Sequence, residues 1–213
     1  QAGIPKEVLH YLPGSGSLLG AQLMADSRTA GVAFTGSTIV AQGIAKTLLS
    51  RSNAPIVPLI AETGGMNAMI VDSSALLEQV VQDVIISSFQ SAGQRCSALR
   101  LVYIQEEIGD AFLKMLKGAM AELSVGDPSL LSTDVGPVID HEARKALQAY
   151  EISLKKKARL IYKVELDKVH QDGSFFPPQV WELTDASHMV EEVFGPILHV
   201  VRFKGTELDK IIN

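Results

Sequence analysis

The sequence predicts an α/β protein built on a parallel sheet, and three observations carry that expectation. Short apolar runs alternate with longer segments of helical periodicity between residues 8 and 61, the pattern of strand–helix–strand units with right-handed crossovers. Glycine-bearing turns, PGSGSLLG (13–20) and FTGST (34–38), fall where a strand would hand over to a helix. A chain of 213 residues with 46% hydrophobic and 20% charged residues can also bury a real core.

Taken in order, VLHYL (8–12) reads as a strand, GSGSLLGAQLMA opens a helix, and GVAF (31–34) is again strand-like. A helix follows over 38–50, with Ile39, Val40, Ile44 and Leu48 at helical spacing. PIVPLIA (55–61) is a short apolar segment, and Pro58 argues against a central strand there because proline cannot donate to the ladder. These elements predict a small sheet of three or four strands that is part of a larger one. From Ser73 the texture changes: serines offer caps, and Leu77, Val80, Val81, Val84, Ile85 and Phe89 recur at helical spacing up to a stop at Gly93. LRLVYIQ (99–105) is a strand, 108–123 an amphipathic helix, 124–140 a turn-rich loop and 142–158 another helix. EEVFGPILHVVRF (191–203) reads as a turn then a strand, and GTELDKIIN as the start of a final helix. A boundary near 67–73 would make residues 1–72 one domain and 73–213 a second.

Composition also removes whole classes of function. The net charge of −5 leaves no electrostatic footprint for nucleic acid, and Lys155-Lys156-Lys157 reads as a solvated helix face. A single cysteine cannot form an internal disulfide, which fits a reducing compartment. One cysteine and scattered histidines show no metal-ligand spacing. No apolar run reaches the length of a membrane span, and residues 1–14 lack the features of a signal peptide. A soluble, cytoplasmic protein is the expectation.

Four motifs hold the candidate chemistry. PGSGSLLG places Gly14, Gly16 and Gly20 after a strand, but the spacing departs from a dinucleotide fingerprint and no acidic residue follows at ribose distance, so it reads as a tight turn. FTGST puts Gly36, Ser37 and Thr38 at a helix N-terminus, where free N–H groups suit either an ordinary cap or an anion such as phosphate. AETGGMN places Glu62 beside a glycine turn at the end of an apolar segment, where open α/β sheets present groups to ligands. SAGQRCSALR sets Cys96 among small and polar neighbours, 34 residues after Glu62. If the two meet, they form a nucleophile with a carboxylate general base. A helix C-terminus just before Cys96 would disfavour its thiolate, so backbone N–H groups, Arg95 or a bound cationic ring would have to favour it. A Cys/His hydrolase or acyltransferase competes, although His10, His141, His170, His188 and His199 form no motif with Cys96.

The ordered set FTGST, AETGGMNAMIV, SAGQRCSALR and EEVFGPIL resembles the aldehyde dehydrogenase superfamily across essentially the whole chain. Thr63, GQRCSALR and VGDPSLLSTDVGPVID (125–140) are similar to the Δ1-pyrroline-5-carboxylate dehydrogenases, more narrowly those of bifunctional bacterial proline-utilisation proteins. The resemblance implies the end of a Rossmann-type NAD-binding domain over 1–72, followed by most of an α/β catalytic domain over 73–213. It implies NAD-dependent oxidation of glutamate γ-semialdehyde to glutamate, with Cys96 as nucleophile and Glu62 activating water. It places Gly36 and Ser37 near the cofactor pyrophosphate, Glu192 on the nicotinamide ribose, Phe194 beside the nicotinamide and Ser97 on the aldehyde pocket. It further implies a fused proline dehydrogenase, a homo-oligomer, and additional site residues before Gln1 and after Asn213. An internal fragment, inactive alone, is the expectation; another aldehyde as substrate, or a folded segment without activity, remains open.

Overall fold

The computed structural model describes residues 3–170 and 172–212. Gln1, Ala2 and Asn213, which the expected domain and helix limits include, lie outside these residues, as does Gln171. The chain divides into two compact units, Gln1–Gly64 and Gly65–Asn213.

In the first unit, α1 (Gly16–Ala25), β1 (Val32–Gly36), α2 (Thr38–Leu49) and β2 (Leu59–Thr63) alternate as expected. The two strands pair in parallel, with Thr35 opposite Glu62 and Gly36 opposite Thr63. Pro58 sits just before β2, where its carbonyl accepts from the Val32 N–H at 3.0 Å, so its missing donor costs the ladder nothing. Arg51 staples the end of α2 to the preceding connection, donating to the carbonyls of Asp26 (2.9 Å) and Thr29 (3.1 Å).

Two expectations for this unit are corrected. VLHYL is not a strand: Lys6–Val8 form a 3₁₀ turn and no regular element follows before α1. Val8, Leu9, Tyr11 and Leu12 stay exposed, because no neighbouring strand offers hydrogen bonds to fix an extended run. The sheet has two strands here, not three or four. On α2 the buried face is Ala41 and Leu48, while Ile39 and Val40 point to solvent.

The second unit is a five-stranded sheet ordered β3-β4-β7-β6-β5. Its strands are β3 (Asn67–Val71), β4 (Leu99–Gln105), β5 (Ala158–Lys163), β6 (Gln179–Leu183) and β7 (Ile197–Phe203). All neighbours are parallel except β5, which runs antiparallel to β6 at one edge. Because β3 pairs with β4, this unit starts ahead of the expected change at Ser73. β4 and β7 lie inside the sheet and read as continuous apolar runs, as strands covered on both faces do. Helices α3 (Leu77–Phe89) and α4 (Glu106–Ala121) pack on each other and on β4 and β7. α3 buries Val81, Val84 and Phe89; α4 buries Phe112, Leu113, Leu116 and Met120. The serine caps expected for α3 are absent: the helix starts after Leu76 with no side-chain cap, and Ser74 instead donates its N–H and hydroxyl to the Asp72 carboxylate in the turn before it. α5 (His141–Leu154) starts at Asp140, which accepts from the Ala143 N–H at 2.7 Å, and a short α6 (Leu208–Ile212) ends the described chain.

One buried polar cluster crosses this core. The Arg100 carbonyl can only accept, so His199 donates to it from Nδ1 (3.0 Å) and accepts the Tyr150 hydroxyl at Nε2 (3.0 Å). Burial, with Lys157 and Arg100 nearby, pushes the imidazole down to about 4, and burial pushes the Tyr150 hydroxyl up to about 12. The unfolded imidazole titrates near 6.5, so between that pH and about 4 the unfolded chain binds more protons. Stability is therefore complete above this window and falls as pH drops through it, by at most about 1.4 kcal/mol per pH unit from this residue. Thermal unfolding followed across this pH range should show that acid limb, and His199→Gln should flatten it.

Candidate active site

Cys96 stands on a turn whose backbone is unusual before any side chain is considered. After α3 the chain makes three successive left-handed residues, Ser91 (φ 56°), Ala92 (φ 53°) and Gly93 (φ 65°). A run of left-handed alanine and serine is costly and persists only when its surroundings over-determine it. Those surroundings are visible. Gln94 donates back to the Ser91 carbonyl and accepts the Ile139 N–H at 2.8 Å. Asn67, the first residue of β3, donates from Nδ2 to the carbonyls of Cys96 (2.6 Å) and Ala98 (2.9 Å). The result is an exposed Cys96 and an exposed Ser97 on a fixed backbone.

Arg95 answers the objection raised by the helix end. Its guanidinium donates to the Ile86 and Ser87 carbonyls at 3.1 and 3.2 Å, placing a cation where α3 presents its partial negative end.

Arg100 is the centre of the site. Only 1% exposed, it donates from Nη1 to the carbonyls of Gly93 (2.6 Å) and Gly195 (3.2 Å), and from Nη2 to the Arg95 carbonyl (3.0 Å). Nη2 and Nε also reach Oε1 of Glu192, at 2.9 and 3.3 Å. The Phe194 ring, 48% exposed, lies 5.4 Å from the guanidinium carbon. The thiol turn and the EEVFGP turn are therefore joined through one cation, and their backbones touch: a Cβ on Gly93 would lie 2.3 Å from the Gly195 oxygen.

The second unit thus brings together Cys96, Ser97, Glu192 and Phe194. In the first unit, Gly36 and Ser37 end β1 beside Glu62, which is exposed on β2 and in register with Thr35. The Ser37 hydroxyl caps α2 by accepting the Val40 N–H at 3.3 Å, leaving its own hydrogen to donate. The tight strand-to-helix turn expected at PGSGSLLG is not formed: no strand precedes it among the described residues, and Gly16 and Gly20 lie within α1 with open space around them. Asn67, Gln94 and Arg100 were not singled out by the motif reading. The detectable signal was Arg100 itself, a charge inside the apolar run LRLVYI, which a buried strand tolerates only with partners waiting.

Gly93→Ala should be severely destabilising, by about 3 kcal/mol or more, since it adds a clash with backbone to a left-handed φ. Gly118→Ala, on an open face of α4, should be neutral or stabilising by under about 1 kcal/mol. Denaturant unfolding of the two variants distinguishes them.

Comparison with known proteins agrees with this geometry. A family model described as the aldehyde dehydrogenase family matches residues 1–213. The bifunctional protein PutA of Escherichia coli is 50% identical over 100% of this chain and 17% of its own length. A 1-pyrroline-5-carboxylate dehydrogenase of Geobacillus thermodenitrificans is 37% identical over 93% of this chain and 39% of its own. The crystal structure of a mutant proline utilization A from Bradyrhizobium japonicum shares 50% identity and a TM-score of 0.93, over 99% of this chain and 21% of that one. The chain thus spans about a fifth of the length of these PutA relatives. With an α/β fold that matches theirs and the thiol turn in place, this chain belongs to the aldehyde dehydrogenase family.

Proposed function

We propose that this chain carries the thiol and the general base of an NAD-dependent dehydrogenase oxidising L-glutamate γ-semialdehyde, formed from Δ1-pyrroline-5-carboxylate, to L-glutamate. The observation that carries this reading is the exposed Cys96 on a turn locked from four sides, in a chain half identical to PutA. The fused proline dehydrogenase, the homo-oligomer and a cytoplasmic location belong to the same proposal. Among the described residues no helix is long and apolar enough to cross a membrane.

The Cys96 sulfur attacks the aldehyde carbon, and the carbonyl oxygen becomes an oxyanion facing the Cys96 N–H, a donor aimed where charge develops. Ser97 lines the aldehyde side. The dinucleotide fits the groups present: Glu192 has Oε1 engaged by Arg100 on a side chain 18% exposed, Phe194 offers a half-exposed ring, and the Ser37 hydroxyl has a hydrogen to donate beside Gly36. When bound, NAD⁺ supplies the acceptor for the hydride that leaves the thiohemiacetal carbon. Glu62 then takes a proton from water, whose oxygen adds to the thioester; the C–S bond breaks and the thiolate returns. The isolated chain is inactive in this reading, since further donors come from outside it.

A Cys-dependent hydrolase would need a free histidine near the thiol; His199 has both ring nitrogens engaged in the core.

In the complete polypeptide that carries this sequence, glutamate γ-semialdehyde should drive NADH formation, read by absorbance. Cys96→Ala should abolish it, and Glu62→Gln should stall turnover after one equivalent of NADH per site. Thiol-dependent ester hydrolysis without NADH formation would sink the dehydrogenase reading.

A further inference from the structure

The Arg95 carbonyl to which Arg100 donates is the other half of the peptide group that carries the Cys96 N–H. That N–H is the donor given to the oxyanion in the reading above, on which this inference rests. A charged donor on the carbonyl of an amide polarises the group and strengthens its N–H, and hydrogen-bonded chains cooperate in this way. The same carbonyl also accepts the Ala98 N–H at 3.1 Å, so the peptide plane is held from two directions. The same guanidinium donates to Oε1 of Glu192 and not to Oε2. It further bridges the carbonyls of Gly93 and Gly195, one from each turn.

We propose that Arg100 is a positioning residue with two simultaneous effects: it orients and polarises the Arg95–Cys96 peptide, and it sets the Glu192 carboxylate for the nicotinamide ribose. Cofactor grip and oxyanion stabilisation are thereby coupled through one buried cation. Lysine in its place keeps the charge and loses the fork, so it cannot serve three carbonyls and a carboxylate together.

The test is a double-mutant cycle in the complete polypeptide, with Arg100→Lys, Glu192→Gln and the pair, reading kcat and the KM for NAD⁺ separately. Arg100→Lys should lower kcat about tenfold, a weakening of an oxyanion donor rather than its removal, and raise the NAD⁺ KM severalfold. Glu192→Gln should act mainly on that KM. The double variant should fall well short of the product of the two KM effects. Factors that multiply, or an Arg100→Lys variant with unchanged kcat, would overturn the proposal. A second readout needs neither aldehyde nor cofactor: alkylation of Cys96 by iodoacetamide. Its rate should change severalfold in Arg100→Lys and measurably in Glu192→Gln, which keeps all three carbonyl acceptors of Arg100. Alkylation identical to the parent in both variants contradicts the coupling even if the complete polypeptide proves not to oxidise aldehydes. Coupled alkylation without NADH formation would leave Arg100 in place and remove the dehydrogenase reading instead.

Discussion

The placement of one permanently charged guanidinium inside the second unit is the constraint on which the rest of the site depends. Burying such a charge costs several kcal/mol unless its donors are satisfied. Arg100 meets that condition with the Glu192 carboxylate and three carbonyls, those of Gly93, Arg95 and Gly195. These acceptors come from segments about a hundred residues apart in sequence. Each must therefore arrive with its carbonyl turned inward, and this explains the backbone. The left-handed run at residues 91–93 turns the Gly93 carbonyl toward the cation, and glycine at both 93 and 195 lets the two turns approach without a Cβ between them.

The topology delivers these segments to one place. Asn67 opens β3, the thiol turn leads into β4, and the EEVFGP turn leads into β7. Since β3, β4 and β7 are adjacent and parallel, all three lie at the amino ends of their strands. The first unit does the opposite: Gly36, Ser37 and Glu62 lie at the carboxyl ends of β1 and β2, the usual place for ligands in open α/β sheets. Beneath the site, neutral His199 and Tyr150 hold the backbone of Arg100 while its side chain faces the turns.

Much of this was legible in the sequence. The helices over 38–49, 77–89, 106–121 and 141–154 follow from apolar spacing, and β4 and β7 from largely apolar runs bounded by turns. The strand expected at VLHYL failed because alternation alone cannot supply the partner that a strand requires. Strands β5 and β6 escaped notice: ARLIYK follows a lysine-rich helix end without a clear turn, and QVWEL is hidden behind Phe175, Phe176 and two prolines. Cys96 and Glu62 were singled out by motifs, and Glu192 by the family resemblance. Asn67, Gln94 and Arg100 were not, because their importance lies in which carbonyls they reach, and no sequence spacing encodes a contact made across 29, 45 or 95 residues.

The claim that the thiol turn and the EEVFGP turn form one unit through Arg100 is tested most directly by native-state hydrogen exchange. Amides in segments 93–98 and 193–197 would be followed at rising denaturant. Segments locked to one buried cation should open together, reporting the same opening free energy and the same denaturant dependence. If 193–197 exchanges freely through small local openings while 93–98 stays protected, the two turns are independent, and the account of Arg100 as their common anchor is wrong.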